Sequence, residues 1–289
     1  MHARVSSKSR LAVAGAVACL TATVAACGST GGSATGAAAA PLSPTQAVLL
    51  AAHSAEKVNT FTGTISLQGT VNEAGASGPI DIAGSMSGQM HPSLLLSENF
   101  TTFTAGGENL APMGEVLTTK DLYMKLGMLT QSLHTSKPWV EMPISALSTK
   151  SGINLGSLFS EAQNSSPLTE VQLLAGASGV KKVGTGTVGG VPVTEYSGTT
   201  AIAKAIDALP ADTRAGMQKA VASTGIKTAS FKVWLDGGNQ GRKAVVTEDG
   251  TALSETITVT LTSMNQPVTI TPPPASQVTA LPASALSGS

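Results

Sequence analysis

The stretch "FTGTISLQGTV", residues 61–71, alternates in character along its length. Phe61, Ile65, Leu67 and Val71 take odd positions, and Thr62, Thr64, Ser66, Gln68 and Thr70 take even ones. That is the period of a strand with one dry face and one wet face. After a turn at Asn72–Pro79 the alternation resumes, with Ile80, Ile82, Met86 and Met90 on one side and Asp81, Ser85, Ser87 and Gln89 on the other. The two runs predict a long hairpin. Far along the chain, "LSETITVTLTSM" (residues 253–264) sets Leu253, Ile257, Val259 and Leu261 against Thr256, Thr258, Thr260 and Thr262. The shared Thr-rich outer face places the first and last strands in one sheet.

Working outward, strands are expected at 93–104, 114–119, 122–127 and 138–142, with Lys120-Asp121 as a tight turn. "VKKVGTGTVGGVPVTEYSG" (residues 180–198) reads as two strands joined at Gly189-Gly190, a two-residue turn that needs positive φ. Three closing strands near 228–236, 242–249 and 252–264 follow, linked by "DGGNQG" and "EDG". Helices are expected at 44–58, with Ser43 and Gln46 as a capping box and Pro44 in the first position, then in "INLGSLFSEA" and "SPLTEVQLLAGA". A further helical stretch over 200–223 is divided by Pro210.

The N-terminus is of another kind. His2, Arg4, Lys8 and Arg10 precede an uncharged run over residues 11–26, the n-region and h-region of a secretory signal. A spanning helix is the competing reading, but the run is Ala/Thr-rich, short of the roughly 20 apolar residues a span needs, and lacks a basic stop-transfer cluster. Val24-Ala25-Ala26-Cys27 resembles a bacterial lipobox, which implies cleavage before Cys27 and thioether linkage of that residue to diacylglycerol. The expected organisation is a lipoprotein signal peptide at 1–26, a flexible Gly/Ser/Ala/Thr tether at 27–42, one domain at 43–273 and a disordered tail at 274–289 that begins as an edge segment and then frays.

The sequence has 17 Lys+Arg against 17 Asp+Glu; without the signal the count is 14 against 17, a net charge of −3. Lys181-Lys182 and Arg242-Lys243 are the closest approaches to a basic patch, too little for nucleic acid. Of the two cysteines, Cys19 leaves with the signal, so no disulfide is available and the core alone must hold the domain. His53, His91 and His134 show no metal-ligand spacing, and no GxSxG elbow occurs. "GTGTVGG" lacks the Lys-Ser/Thr of a phosphate loop, and Glu248-Asp249 before Gly250 reads as a solvated turn. No acid/base pair, nucleotide, metal or other cofactor is implied, and an enzyme is the distant third reading.

"PLTEVQLLAGASGVKKVGTGTVGGVPVTEYSGT" (Pro167–Thr199), "VWLDGGNQGRKAVV" (Val233–Val246) and "NQPVTITPP" (Asn265–Pro273) resemble the second half of the LppX/LprA/LprF/LprG family of actinobacterial lipoproteins, with "LYMKLG…KPWVEM" (Leu122–Met142) adding to the match in the first half. The resemblance implies an α+β fold: a strongly curved antiparallel sheet, a half-barrel of LolA/LolB type, with helices across its concave face. It also implies that lipid or an acylated glycolipid is held between sheet and helices. The residues expected to line such a cavity are Phe61, Ile65, Leu67, Val71, Ile80, Ile82, Met86, Met90, Met124, Val233, Leu235, Ile257, Val259 and Leu261, with Met142 as another adaptable liner.

For any one of these residues, plain core packing is the commoner explanation, because alternation specifies burial and not vacancy. The leading expectation is a monomeric, membrane-anchored lipoprotein on the extracytoplasmic face that carries or presents lipid, with a membrane transporter as a further partner. The alternative is an anchored scaffold or sensor with no lipid cargo, meeting a membrane protein through the Thr-rich face or Trp234.

Overall fold

The computed structural model describes residues 42–281, apart from 56, 74–75, 106–107, 126, 147–176 and 208–210. The helices expected in "INLGSLFSEA" and "SPLTEVQLLAGA" lie outside the described residues, except for the last residue of the second stretch.

The chain enters through α1 (Pro44–Ala55). Its capping box forms as the sequence requires: Gln46 N–H donates to Ser43 Oγ at 3.3 Å, and Ser43 N–H donates to Gln46 Oε1 at 2.9 Å. The alternating segments then give β1 (Thr60–Glu73), β2 (Ala76–Gln89), β3 (Leu95–Ala105), the short β4 (Glu108–Asn109), β5 (Met113–Leu117) and β6 (Asp121–Lys125). Helix α2 (Gly127–Ser132) leads to β7 (Trp139–Pro143). Strands β8 (Ala177–Val188) and β9 (Val191–Ala201) turn at Gly189 and Gly190, whose φ values of 57° and 79° are those a two-residue primed turn demands.

Helices α3 (Ile202–Asp207) and α4 (Ala211–Thr224) flank Pro210, and β10 (Thr228–Asp236), β11 (Gly241–Asp249) and β12 (Leu253–Met264) form the closing meander. A 3₁₀ turn at Ala275–Gln277 then feeds β13 (Val278–Ala280).

All 13 strands of the described residues join one sheet. Its main path runs β13-β7-β6-β5-β3-β2-β1-β12-β11-β10-β9-β8, with β4 added beside β3. The expected union of first and last strands is present: β1 and β12 pair antiparallel from Phe61↔Met264 to Val71↔Leu253, at the middle of the sheet.

The expectation of a strongly curved antiparallel half-barrel is corrected here. The sheet is open and mixed, neither closed nor strongly curled. Its two ends, β8 and β13, are at opposite extremes of the path, and β13 runs parallel to β7. The physical reason is that alternation fixes which side of each strand is dry, whereas curl depends on tilt, shear and the pairing that closes the ring.

The described helices also sit differently from a row across a concave face. Helix α1 lies against β8 and β11, α2 against β7, and α3 against β9.

The core is the dry face of the central strands. Leu67 and Ile82 are its most completely buried large side chains, and Leu94, ahead of β3, and Val140, on β7, are buried as fully elsewhere. Phe100 and Phe103 meet edge to face, ring centroids 5.9 Å apart, as aromatic quadrupoles prefer. A second, smaller cluster forms where Ala47 and Ala51 of α1 settle on Leu235, beside Tyr196 and Val233.

Candidate functional site

Twelve of the fourteen residues singled out as cavity lining converge on one apolar cluster. Phe61, Ile65, Leu67, Val71, Ile80, Ile82, Met86, Met124 and Ile257 are buried in a single apolar cluster, and Met90, Val259 and Leu261 pack against it half-buried. Val233 and Leu235 belong instead to the second cluster under α1. Register explains the convergence: Leu67 stands opposite both Ile82 and Ile257, and Ile65 opposite Val259, so alternation on three adjacent strands accumulates on one side. Met142 joins the same cluster.

These side chains are packed against one another. Leu67 and Ile82 are each 1% exposed. An open cleft of about 390 Å³ lies among Thr64, Ile65, Ser66, Ala83, Gly84, Ser85, Thr101 and Thr258, where the register shifts between Ala83 and Gly84. Of the candidate liners, only Ile65 borders it.

The wet face of the sheet is knitted by hydroxyls. Thr62 Oγ1 is 2.9 Å from Thr262 Oγ1 and 2.7 Å from Ser263 Oγ, and Thr247 Oγ1 is 3.1 Å from Thr256 Oγ1. Trp234 is half-buried on this side, with the Lys243 ammonium 4.9 Å from its ring centroid and Glu195 and Lys243 as its cross-strand neighbours.

Three functional candidates, Glu98, Glu115 and Glu255, escaped the sequence reading, and a fourth, Glu248, was read there as a turn residue. Glu98 on β3 and Glu115 on β5 face each other directly, and the same row continues to Met86 on one side and Met124 on the other. Glu248 on β11 and Glu255 on β12 form a second cross-strand pair, between Gly69 and Ala229. Burial, then the charge of Glu98, pushes the Glu115 carboxyl up to about 8. Burial, then Glu248, pushes Glu255 up to about 7. Burial likewise raises Glu98 and Glu248.

The expectation that Glu248 is solvated in its turn is therefore corrected: it is 5% exposed, and Glu255 is 7% exposed. Asp249 next to it is the exposed turn residue and accepts from Ser254 Oγ at 2.6 Å. The signal for all four was phase. Glu98 falls in step with Leu96 and Phe100, Glu115 with Met113 and Leu117, Glu248 with Ala244 and Val246, and Glu255 with Leu253 and Ile257. Two carboxyls opposed in an apolar row can share a proton and supply a polar mark on an otherwise apolar surface.

Among the described residues, no group of three or more His, Cys, Asp or Glu side chains could hold a metal ion. His91 is exposed and His134 has a positive φ of 49°, and neither approaches such a group. Among the described residues, no helix is long and apolar enough to cross a membrane.

No family model matches the chain. Solved structures similar to it include the lipoprotein LppX of Mycobacterium tuberculosis, at 16% identity and a TM-score of 0.46, covering 79% of this chain and 98% of that one. LprF of Mycobacterium bovis is similar at 13% identity and a TM-score of 0.49, covering 80% of this chain and 96% of that one. Both are members of the group that the sequence resembles. Over 119 residues the chain is 29% identical to an uncharacterized 31.2 kDa protein of the rplA-rplJ intergenic region of Streptomyces griseus. That match spans 40% of this chain and 39% of the relative's length.

Proposed function

We propose that this protein is a non-catalytic, membrane-anchored lipoprotein whose sheet offers its apolar face to lipid acyl chains. The carrying observation is the convergence of twelve sequence-selected residues on a single face, from Phe61 to Leu261, with flexible Met86, Met90 and Met124 among them. In this reading residues 1–26 are removed, Cys27 carries the diacylglycerol and residues 27–42 tether the domain on the extracytoplasmic side. The cargo is a lipid or an acylated glycolipid.

Each methylene that leaves the bilayer for an apolar protein surface exchanges one hydrocarbon environment for another at about 0.8 kcal/mol relative to water, so uptake and release stay near balance. Packing makes room only by displacement, and the unbranched thioethers are the side chains best able to move.

The test is native mass spectrometry of the protein purified without detergent from a lipid-making host. A stoichiometric acylated species, diminished by Met90→Trp or Leu261→Trp in a folded protein, is the expected result. Protein that is empty and stays empty with the host's lipid extract would overturn it.

One observation favours the second reading, a scaffold that meets a membrane protein: Leu67 and Ile82 are closed off by their neighbours. An empty protein in the same experiment is its expected outcome.

A further inference from the structure

Among the described residues, the exposed large hydrophobic side chains are Leu42 (46% exposed), Leu50 (40%) and Val183 (51%). They are not scattered. Leu42 leads directly into α1, Leu50 lies on α1, and Val183 lies on β8, the edge strand that α1 touches. Tyr196 bridges the two elements: it pairs with Lys182, next to Val183, and packs beside Ala47 and Ala51 of α1. Lys181 and Lys182 precede Val183 and are exposed, while Glu195, the acid nearest in register, is engaged by Lys232 at 3.7 Å. The α1–β8 corner at this end of the sheet thus carries the three exposed apolar side chains together with two exposed lysines.

We propose that this corner docks the domain on an anionic bilayer surface, the one to which Cys27 is anchored. The inference rests on the anchored reading, because only 14 residues lie between Cys27 and Leu42. A chain of that length reaches at most about 50 Å. The corner is where the domain meets its tether, so it is held within reach of the headgroups. Three half-exposed side chains are too few to recruit a free protein, but a tether turns docking into an intramolecular event with a high effective concentration. Lys181 and Lys182 find their complement in anionic headgroups, and the leucines and valine enter the interface between headgroup and acyl chain.

The experiment uses the chain from Cys27 to Ser289 coupled through the Cys27 thiol to a maleimide lipid, so that anchoring does not depend on native acylation. It is placed in vesicles of phosphatidylglycerol and brominated phosphatidylcholine. Val183→Trp is compared with Thr119→Trp, an exposed position in the β5–β6 turn toward the other end of the sheet. Bromine quenching of the tryptophan at 183 beyond that at 119 is expected. It should be lost with Lys181→Glu/Lys182→Glu, with Leu42→Glu/Leu50→Glu, and in vesicles without phosphatidylglycerol.

Equal quenching at 183 and 119, or quenching indifferent to the charge of the lipid, overturns the proposal. Failure of the anchored reading shows separately, as a native protein whose mass carries no diacylglycerol at Cys27.

Discussion

Glu115 inverts the usual response of a protein to acid. Its folded-state carboxyl is pushed up to about 8 and that of Glu255 to about 7, both above the ordinary value of 4.5. The folded state therefore binds more protons than the unfolded chain between about pH 4.5 and 8. The stability these groups contribute is complete below the lower limit and is lost as pH rises through the upper one. Denaturant midpoints should accordingly fall from pH 5 to pH 8.5. Glu115→Gln should flatten that slope and stabilise the protein at pH 8.5 by about 1–3 kcal/mol, the cost of a poorly compensated buried charge. Asp236 behaves in the opposite sense. Its carboxylate accepts from Gly238 N–H, Gln240 N–H and Arg242 Nε at 2.7–3.0 Å, and these bonds outweigh burial to hold its pKa below the usual range. Its contribution is lost as pH falls through that lowered value, and Asp236→Ala should cost about 2–3 kcal/mol in urea unfolding at neutral pH, because Arg242 is left half-buried without its partner. The glutamates were legible in the sequence through their phase, but a turn motif at Glu248 outweighed it. Local turn chemistry predicts solvation, whereas the ladder decides which way the side chain points.

Elements built on periodicity were the easiest to read, because two-residue alternation and a Gly-Gly turn are local properties of the chain. Thus β8 and β9 meet at the expected glycines, and β1 and β2 run further toward their turn than the proline at 79 suggested, pairing out to Glu73↔Ala76. Strand β13 was not legible as a partner of β7, since three residues carry no period and a parallel pairing requires a distant edge. It is nevertheless well fastened: Lys137 Nζ donates to the Val278 carbonyl at 2.8 Å, Thr135 and Thr279 hydroxyls are 2.8 Å apart, and Leu281 N–H donates to the Glu141 carbonyl at 2.9 Å. Ending the chain at Pro274 should bare the β7 edge, lower the melting temperature by several degrees and raise self-association in sedimentation, as uncovered edges do. Glycine 69 makes a sharper test within a strand. A Cβ there would overlap the Ser254 carbonyl and come within 2.9 Å of the Glu255 Cβ. Gly69→Ala should therefore destabilise by about 1–3 kcal/mol, the range for overpacking, seen as a lower urea midpoint.

The molecule as a whole combines a pattern that was legible with a shape that was not. One dry face and one hydroxylated face follow from side-chain order alone, and Ile65, Leu67, Ile82 and Ile257 are found together as that order requires. The openness of the sheet depends on what its outermost strands do, which no single segment encodes. The central pairing of β1 with β12 has a further consequence. Asn59 and Thr60 bond to Asn265 and Gln266 across 206 positions of chain, so the middle of the sheet cannot zip until nearly every residue is present. Such nonlocal pairing is slow, because loop closure must be met before contacts repay it. A circular permutant that joins the chain after β13 to the start of α1 and opens at Gly189-Gly190 should refold faster to the same sheet, by stopped-flow fluorescence of the two tryptophans. In the exported, anchored reading proposed above, this delay is useful: β1 has β2 beside it early but cannot meet β12 while the last strand is still being made, so the centre of the sheet stays open until the chain is through.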